Sequence, residues 1–204
     1  DDGHASLAER AYPVLADLGF TATTFLITDY VGRDNSWDVR YTRRRMPQLD
    51  WRTIERWRIR GFDFGSHGAT HRRLTWLRSA VVTEEMNRSR QVLIQRLGTG
   101  AGRAIAYPFA AVSDRVMELA RQAGFEMGFG GAWDRGVDPL RLTRVPVYAW
   151  DALDTPIGLW PGLRGTAGRL LAHITNRCSI GTSLALAFAG RYRSRWTPVG
   201  TPTG

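Results

Sequence analysis

An α/β fold of parallel βα units is predicted by three observations. Strand-like runs rich in β-branched and aromatic residues alternate with helical runs. Most of the helical runs close on a glycine, which tolerates the left-handed conformation that ends a helix. The histidines best suited to chemistry follow directly on a strand-like run, where α/β folds collect their active sites.

Taken in order, Ser6-Leu7-Ala8-Glu9 has the form of a capping box and opens a helix that Gly19 closes; Pro13 is expected to kink it. Thr21 to Thr28 reads as a strand. Asp50 is placed to cap a helix through Arg60, ended by Gly61, and Phe62 to Ser66 is a short strand. A helix from about Thr83 to Leu97 ends at Gly98, and Ile105 to Tyr107 is the next strand. Ser113 caps a helix to Ala123, closed by Gly124, and Phe125 to Phe129 and Leu142 to Trp150 supply further strands. Ala167 to Phe188 reads as helical, with an interruption near Gly181. One domain over residues 1–193 is expected, followed by a loose tail over 194–204. No internal repeat is visible.

The 204 residues, 43% of them hydrophobic, suffice for one sizeable core. No run of about 18 apolar residues marks a membrane-spanning helix. The net charge of +9 rests on 28 arginines and no lysine; the arginines are scattered and no nucleic-acid recognition motif accompanies them, so nucleic acid is not an expected partner. Cys178 is alone, which excludes an internal disulfide and a cysteine-based zinc cluster and leaves it as a small buried apolar residue. The opening DDGHASLAER has no signal-peptide pattern and reads as a cut N-terminus, so localisation cannot be read from a missing leader.

Two features carry chemistry. His67-Gly68-Ala69-Thr70-His71 places two imidazoles four residues apart; a helical turn there would put both on one face, within reach of one ion. Alone, this spacing also suits surface or capping histidines. Asp1-Asp2-Gly3 alone is a turn signature. Together they offer two neutral imidazoles and a carboxylate, a ligand set that leaves coordination positions open for water and substrate, and a second carboxylate able to act as a base. Imidazole suits zinc, Co2+, Ni2+ and Fe2+.

The ordered set DDG, SHGATH and AYPFA resembles the polysaccharide deacetylases of the NodB-like carbohydrate esterase family 4. LADLGFTATTFLI and GFDFGSHGATHRRL resemble the family's first helix with its second strand and its approach to the histidines, and the likeness covers roughly residues 1–150. The resemblance implies a distorted (β/α) barrel. It implies Asp1 as the catalytic base and Asp2, His67 and His71 as ligands of one divalent ion, zinc first and Co2+, Ni2+ or Fe2+ as alternatives. Phe109 then supplies a backbone N–H to the oxyanion, and the substrate is an N-acetylated or O-acetylated glycan. It further suggests an exported or cell-envelope location. The family's first motif is TFDDG, so the chain is expected to begin inside it and to lack the first strand. Asp1 and Asp2 would then hang from a chain end without ladder hydrogen bonds, and weak metal binding and poor activity are expected.

Three departures qualify the resemblance. Gly68 stands at a Ser/Thr position. The third-motif arginine that pairs with the base is replaced by Ala106, and Arg103 lies three residues too early to take its role. Arg144 is a candidate for that charge, although a surface arginine on a strand is the default reading. The late general-acid histidine has only His173 as a candidate, in surroundings that look helical. Tyr107 and Trp150 are the candidate sugar-stacking rings, whereas Trp51, Trp57 and Trp76 fit helix packing better. The rival readings are a non-catalytic glycan-binding domain of the same fold and a hydrolase of small C–N amides.

Overall fold

The computed structural model describes residues 1–38, 45–131, 137–144 and 147. Four parallel strands form one sheet in chain order, β1 (Thr23–Leu26), β2 (Asp63–Ser66), β3 (Ala104–Ala106) and β4 (Met127–Phe129). Helices α2 (Trp51–Ile59), α3 (Ser79–Leu97) and α4 (Asp114–Gln122) occupy the three crossovers between them. Neighbours in sequence are neighbours in space, so the sheet winds in one direction like an arc of a barrel wall. Leu26 pairs with Ser66, Ser66 with Ile105, and Ala106 with Phe129. This register brings the C-terminal ends of all four strands to one edge.

Two caps act as the sequence predicts. Asp50 accepts from Thr53 N–H at 2.8 Å and Ser113 from Val116 N–H at 3.4 Å, each satisfying an amide that the first helical turn leaves open. The first helix differs. Ser6 has helical φ/ψ and caps nothing; the chain passes through a π-turn, Leu7–Ala11, into α1 (Tyr12–Asp17). The wide turn accommodates Pro13, which has no N–H to donate and whose ring crowds the carbonyl four residues back. α3 starts a turn earlier than expected, because Arg78 is already extended and Ser79 follows it into the helix without a side-chain cap. Of the predicted strand Leu142 to Trp150, Leu142 forms a parallel bridge to Phe129. The rest of it lies largely outside the described residues, as do Cys178, the helical reading of residues 167–188 and the tail.

The core has two parts. Tyr12, Trp57, Phe62 and Phe64 pack as tilted and edge-on rings with centroids 4.7–6.5 Å apart, and the buried Tyr12 hydroxyl hydrogen-bonds Thr24 at 2.5 Å. On the other side Leu74, Val82, Met86, Ile105 and Val116 are fully buried. No helix among the described residues is long and apolar enough to cross a membrane.

Gly65, in the middle of β2, lies under the Phe25 ring. A Cβ there would stand 2.7 Å from Phe25 Cε1 and 3.0 Å from the Ala104 carbonyl oxygen. Gly65→Ala is therefore expected to cost about 1–3 kcal/mol, the usual range for overpacking. Gly100→Ala, with nothing nearer than 3.5 Å, should stay within about 0.5 kcal/mol of the parent. Urea midpoints compare the two, and equal midpoints would show that the ring moves freely.

Candidate metal centre and active site

His67 follows directly on β2, anchored by its N–H to the Leu26 carbonyl at 2.8 Å. Its Nδ1 lies 2.7 Å from the carbonyl oxygen of Ala106 at the end of β3. A carbonyl can only accept, so Nδ1 carries the proton and Nε2 presents a lone pair. That lone pair faces Asp2 Oδ1 at 3.4 Å, and His71 Nε2 faces the same oxygen at 3.5 Å. One ligand atom from each of Asp2, His67 and His71 falls within 4.8 Å of the other two.

Asp2 Oδ1 is buried and has no hydrogen-bond partner. A buried carboxylate oxygen beside an imidazole lone pair, with no donor between them, fits a cation, and a divalent ion of the zinc type suits this set. The imidazoles are ready to bind one. Burial pushes His67 down to about 4, against partial opposition from Asp2, and burial and then the charge of His67 hold His71 well below the usual range. Both are neutral, as metal ligands must be. Their side chains are 3% and 8% exposed, those of Asp1 and Asp2 34% and 26%, so the site has a dry floor and an open mouth.

The histidines converge through a tight loop, in place of the expected helical turn. Gly68 has φ 78° and His71 φ 59°. The His71 ring is held between Trp37 and Phe109, with centroids 4.1 and 4.6 Å away. All four non-glycine residues with positive φ among the described residues, Asp2, His71, Phe109 and Ala110, belong to this site. Each such conformation costs on the order of 1–3 kcal/mol and persists because its surroundings enforce it. Phe109 is left-handed (φ 61°) within a turn whose hydrogen bonds run from Ala110 to Tyr107 and from Ala111 to Pro108.

Asp1 does not point into the ligand cluster. Its carboxylate lies 3.9 Å from His67 Nε2 and is gripped by Arg144, whose Nη1 donates to Oδ1 at 2.7 Å and to Oδ2 at 2.9 Å. The guanidinium sits over the Phe25 ring at 5.9 Å. Arg144, whose default reading was a surface residue, thus stands against the carboxylate. Arg103 instead pairs at the surface with Glu126.

The opening residues are tied down, contrary to the expectation of a free chain end. Leu49 N–H donates to Gly3 O and Ala5 N–H to Pro47 O, both over 2.8–2.9 Å, forming an antiparallel bridge at His4 and Gln48. With its amide oriented by these neighbours, Gln48 donates to the carbonyls of Asp2 (2.6 Å) and Gly3 (3.1 Å) and accepts from His4 Nδ1 at 3.0 Å. Nothing local in the sequence marks Gln48, which lies 44 residues from His4.

Tyr107 requires a correction. It is completely buried, and its hydroxyl donates to Leu140 O at 2.9 Å, so its ring offers no face to a sugar. Trp57 packs in the core as expected, but Trp76 is 46% exposed beneath the Arg73 guanidinium. Trp150 and His173 lie outside the described residues.

The chain resembles known proteins along most of its described length. The family model for polysaccharide deacetylase matches residues 1–128. The poly-beta-1,6-N-acetyl-D-glucosamine N-deacetylase of Staphylococcus epidermidis is 28% identical over 175 residues, covering 79% of this chain and 57% of that protein. The chain therefore spans little more than half of this relative. In fold it matches IcaB from Ammonifex degensii, with a TM-score of 0.62 at 24% identity over 73% of this chain and 66% of that one. The Streptococcus pyogenes deacetylase PplD, solved with acetate, gives 0.60 at 24% over 71% and 61%. Both support a barrel of the deacetylase type, of which the four parallel strands are an arc. With more than half of its residues matched by the family model, this chain belongs to the polysaccharide deacetylase family.

Proposed function

We propose that this protein is a metal-dependent hydrolase that removes acetyl groups from an N-acetylated glycan. The observation that carries the reading is the convergence of Asp2 Oδ1, His67 Nε2 and His71 Nε2 beside a second carboxylate. A divalent ion held by these three residues supplies Lewis acidity toward the acetyl carbonyl and the attacking water. Asp1 takes the proton as the water oxygen bonds to the carbonyl carbon. Arg144 holds the Asp1 carboxylate in place through two donor contacts. Phe109 N–H donates to the oxyanion, held in place by its left-handed backbone. The proton held by Asp1 passes to the nitrogen as the C–N bond breaks, and acetate and an amine leave, the amine taking up the proton that the acetic acid releases. Poly-β-1,6-N-acetyl-D-glucosamine, named for the Staphylococcus epidermidis relative, is the first substrate to try. A polymer of this kind fits work at the cell surface or beyond it.

The two carboxylates should separate experimentally. Asp1→Asn is expected to slow acetate release by roughly 10²- to 10⁴-fold while leaving zinc stoichiometry near one. Asp2→Asn and His67→Ala should lose the ion and the activity together. Elemental analysis beside an acetate assay on soluble oligomers decides, and full metal content in His67→Ala would remove the site from the protein.

Arg144→Ala should leave zinc content unchanged and lower turnover about tenfold or more, with a shifted acidic limb in the pH–rate profile. Arg144→Lys should recover only part of this, because an ammonium cannot reproduce the planar donor fork. A rate equal to wild type in Arg144→Ala would mean that Asp1 positions itself.

Acid should destabilise the metal-free protein. The native imidazoles have pKa values below the ordinary 6.5, so the unfolded chain binds more protons as pH falls through that value. Stability is then lost from about pH 6.5 toward the folded value of about 4 for His67. Urea midpoints between pH 7.5 and 4.5 should fall for wild type and fall less for His67→Gln/His71→Gln; parallel curves would contradict the burial effect.

A further inference from the structure

We infer that Glu85, on α3, is a positioning residue that sets the geometry of the metal centre by gripping the loop between its two histidines. The inference rests on the metal-dependent reading above. Glu85 is 4% exposed. Its Oε2 accepts from the backbone N–H groups of Ala69 at 3.1 Å and Thr70 at 2.9 Å, and its Oε1 accepts from the Thr70 hydroxyl at 2.5 Å. One carboxylate thus satisfies three donors of a three-residue loop that has no hydrogen bonding of a regular helix to hold it.

The same face of the helix holds the loop at its other end. Ser89, one helical turn on, donates to Met86 O at 3.0 Å, so the Ser66 hydroxyl donates to Ser89 Oγ at 2.7 Å. Ser66 Oγ in turn accepts from Gly68 N–H at 3.1 Å. Arg88 pairs with Asp29 at 2.7 Å, and Asp29 N–H donates to Ala69 O at 3.1 Å. Of these groups Glu85 makes the most bonds to the loop, and it makes them to the two residues directly before His71. Gly68 lacks a Cβ, and one built there would stand 3.7 Å from Glu85 Oε2. The loop itself offers no side chain at that point to replace the grip.

The chemistry follows from the loop's strain. His71 is left-handed, a conformation that a free loop abandons readily. Without Glu85, two backbone donors are left buried and unpaired, and the loop relaxes to satisfy them. Relaxation swings His71 Nε2 away from Asp2 Oδ1 while β2 and Ala106 continue to hold His67. Glu85 therefore acts through His71 and touches neither ion nor substrate.

Zinc affinity, read by competition with a chromophoric chelator at a temperature well below melting, tests this without reference to turnover. Glu85→Ala is expected to weaken zinc binding by about 10- to 100-fold, the range for partners that orient metal ligands. Glu85→Gln keeps one acceptor oxygen and should fall between Glu85→Ala and wild type. Thr70→Val removes one of the three bonds and should show the smallest loss. Leu93→Ala, in the apolar core on the same helix, should lower the melting temperature yet leave zinc affinity unchanged. If Glu85→Ala does not fold, the order of Glu85→Gln and Thr70→Val against Leu93→Ala carries the test. Wild-type affinity in these variants, or a loss in Leu93→Ala equal to theirs, overturns the inference and leaves the metal site standing. Failure of the wild-type chain to bind zinc, Co2+, Ni2+ or Fe2+ removes both.

Discussion

A buried carboxylate oxygen and a buried imidazole lone pair face each other across a few ångströms with no proton to share, and the rest of the structure is arranged around that condition. Such a cluster is costly unless a cation sits among the acceptors. Drying the imidazoles is what keeps them neutral, and it requires the strand ends to carry them below the surface. The parallel register does this, because Leu26, Ser66 and Ile105 come level and His67, one residue on, emerges beside Ala106 between two neighbouring strands. The Ala106 carbonyl then fixes which nitrogen is left open. A one-residue slip of β3 would offer His67 a different group, and the tautomer would no longer be set by the sheet.

Regular structure ends where the site begins. Every left-handed side-chain-bearing residue among those described lies in one of three loops: the opening turn, the histidine loop after β2 and the segment after β3. Those loops are short, and packing determines their shape more than propensity does. Trp37 and Phe109 enclose the His71 ring, and the Gln48 amide ties together the carbonyls of Asp2 and Gly3. The strain is local, and the support comes from residues far away in sequence.

This division explains what could be read from the sequence. Asp50 and Ser113 were legible as caps because a cap is a bond to an amide three residues away. Ser6 had the same letters, but its own backbone is helical, and Pro13 changes the turn that follows. The ligand residues were legible as residue types in order, while the helical route proposed to join His67 and His71 was not the one taken, since Gly68 and His71 are both left-handed. Tyr107 reads as a sugar-stacking ring because it ends a strand inside a motif, but a tyrosine whose hydroxyl has a carbonyl in reach is content in a core, and Leu140 supplies one. Arg144 and Gln48 carry no local signature, because what defines each is a partner more than 40 residues distant.

The bond between Arg144 and Asp1 closes a span of 143 residues. Chains are synthesised from the N-terminus and their early portions can begin to fold first. A growing chain would hold both carboxylates and both histidines long before it held the arginine. On the proposed mechanism such an intermediate could gather an ion while its base remained slack. Hydrolytic competence would then arrive late in synthesis, as a signature of a finished wall.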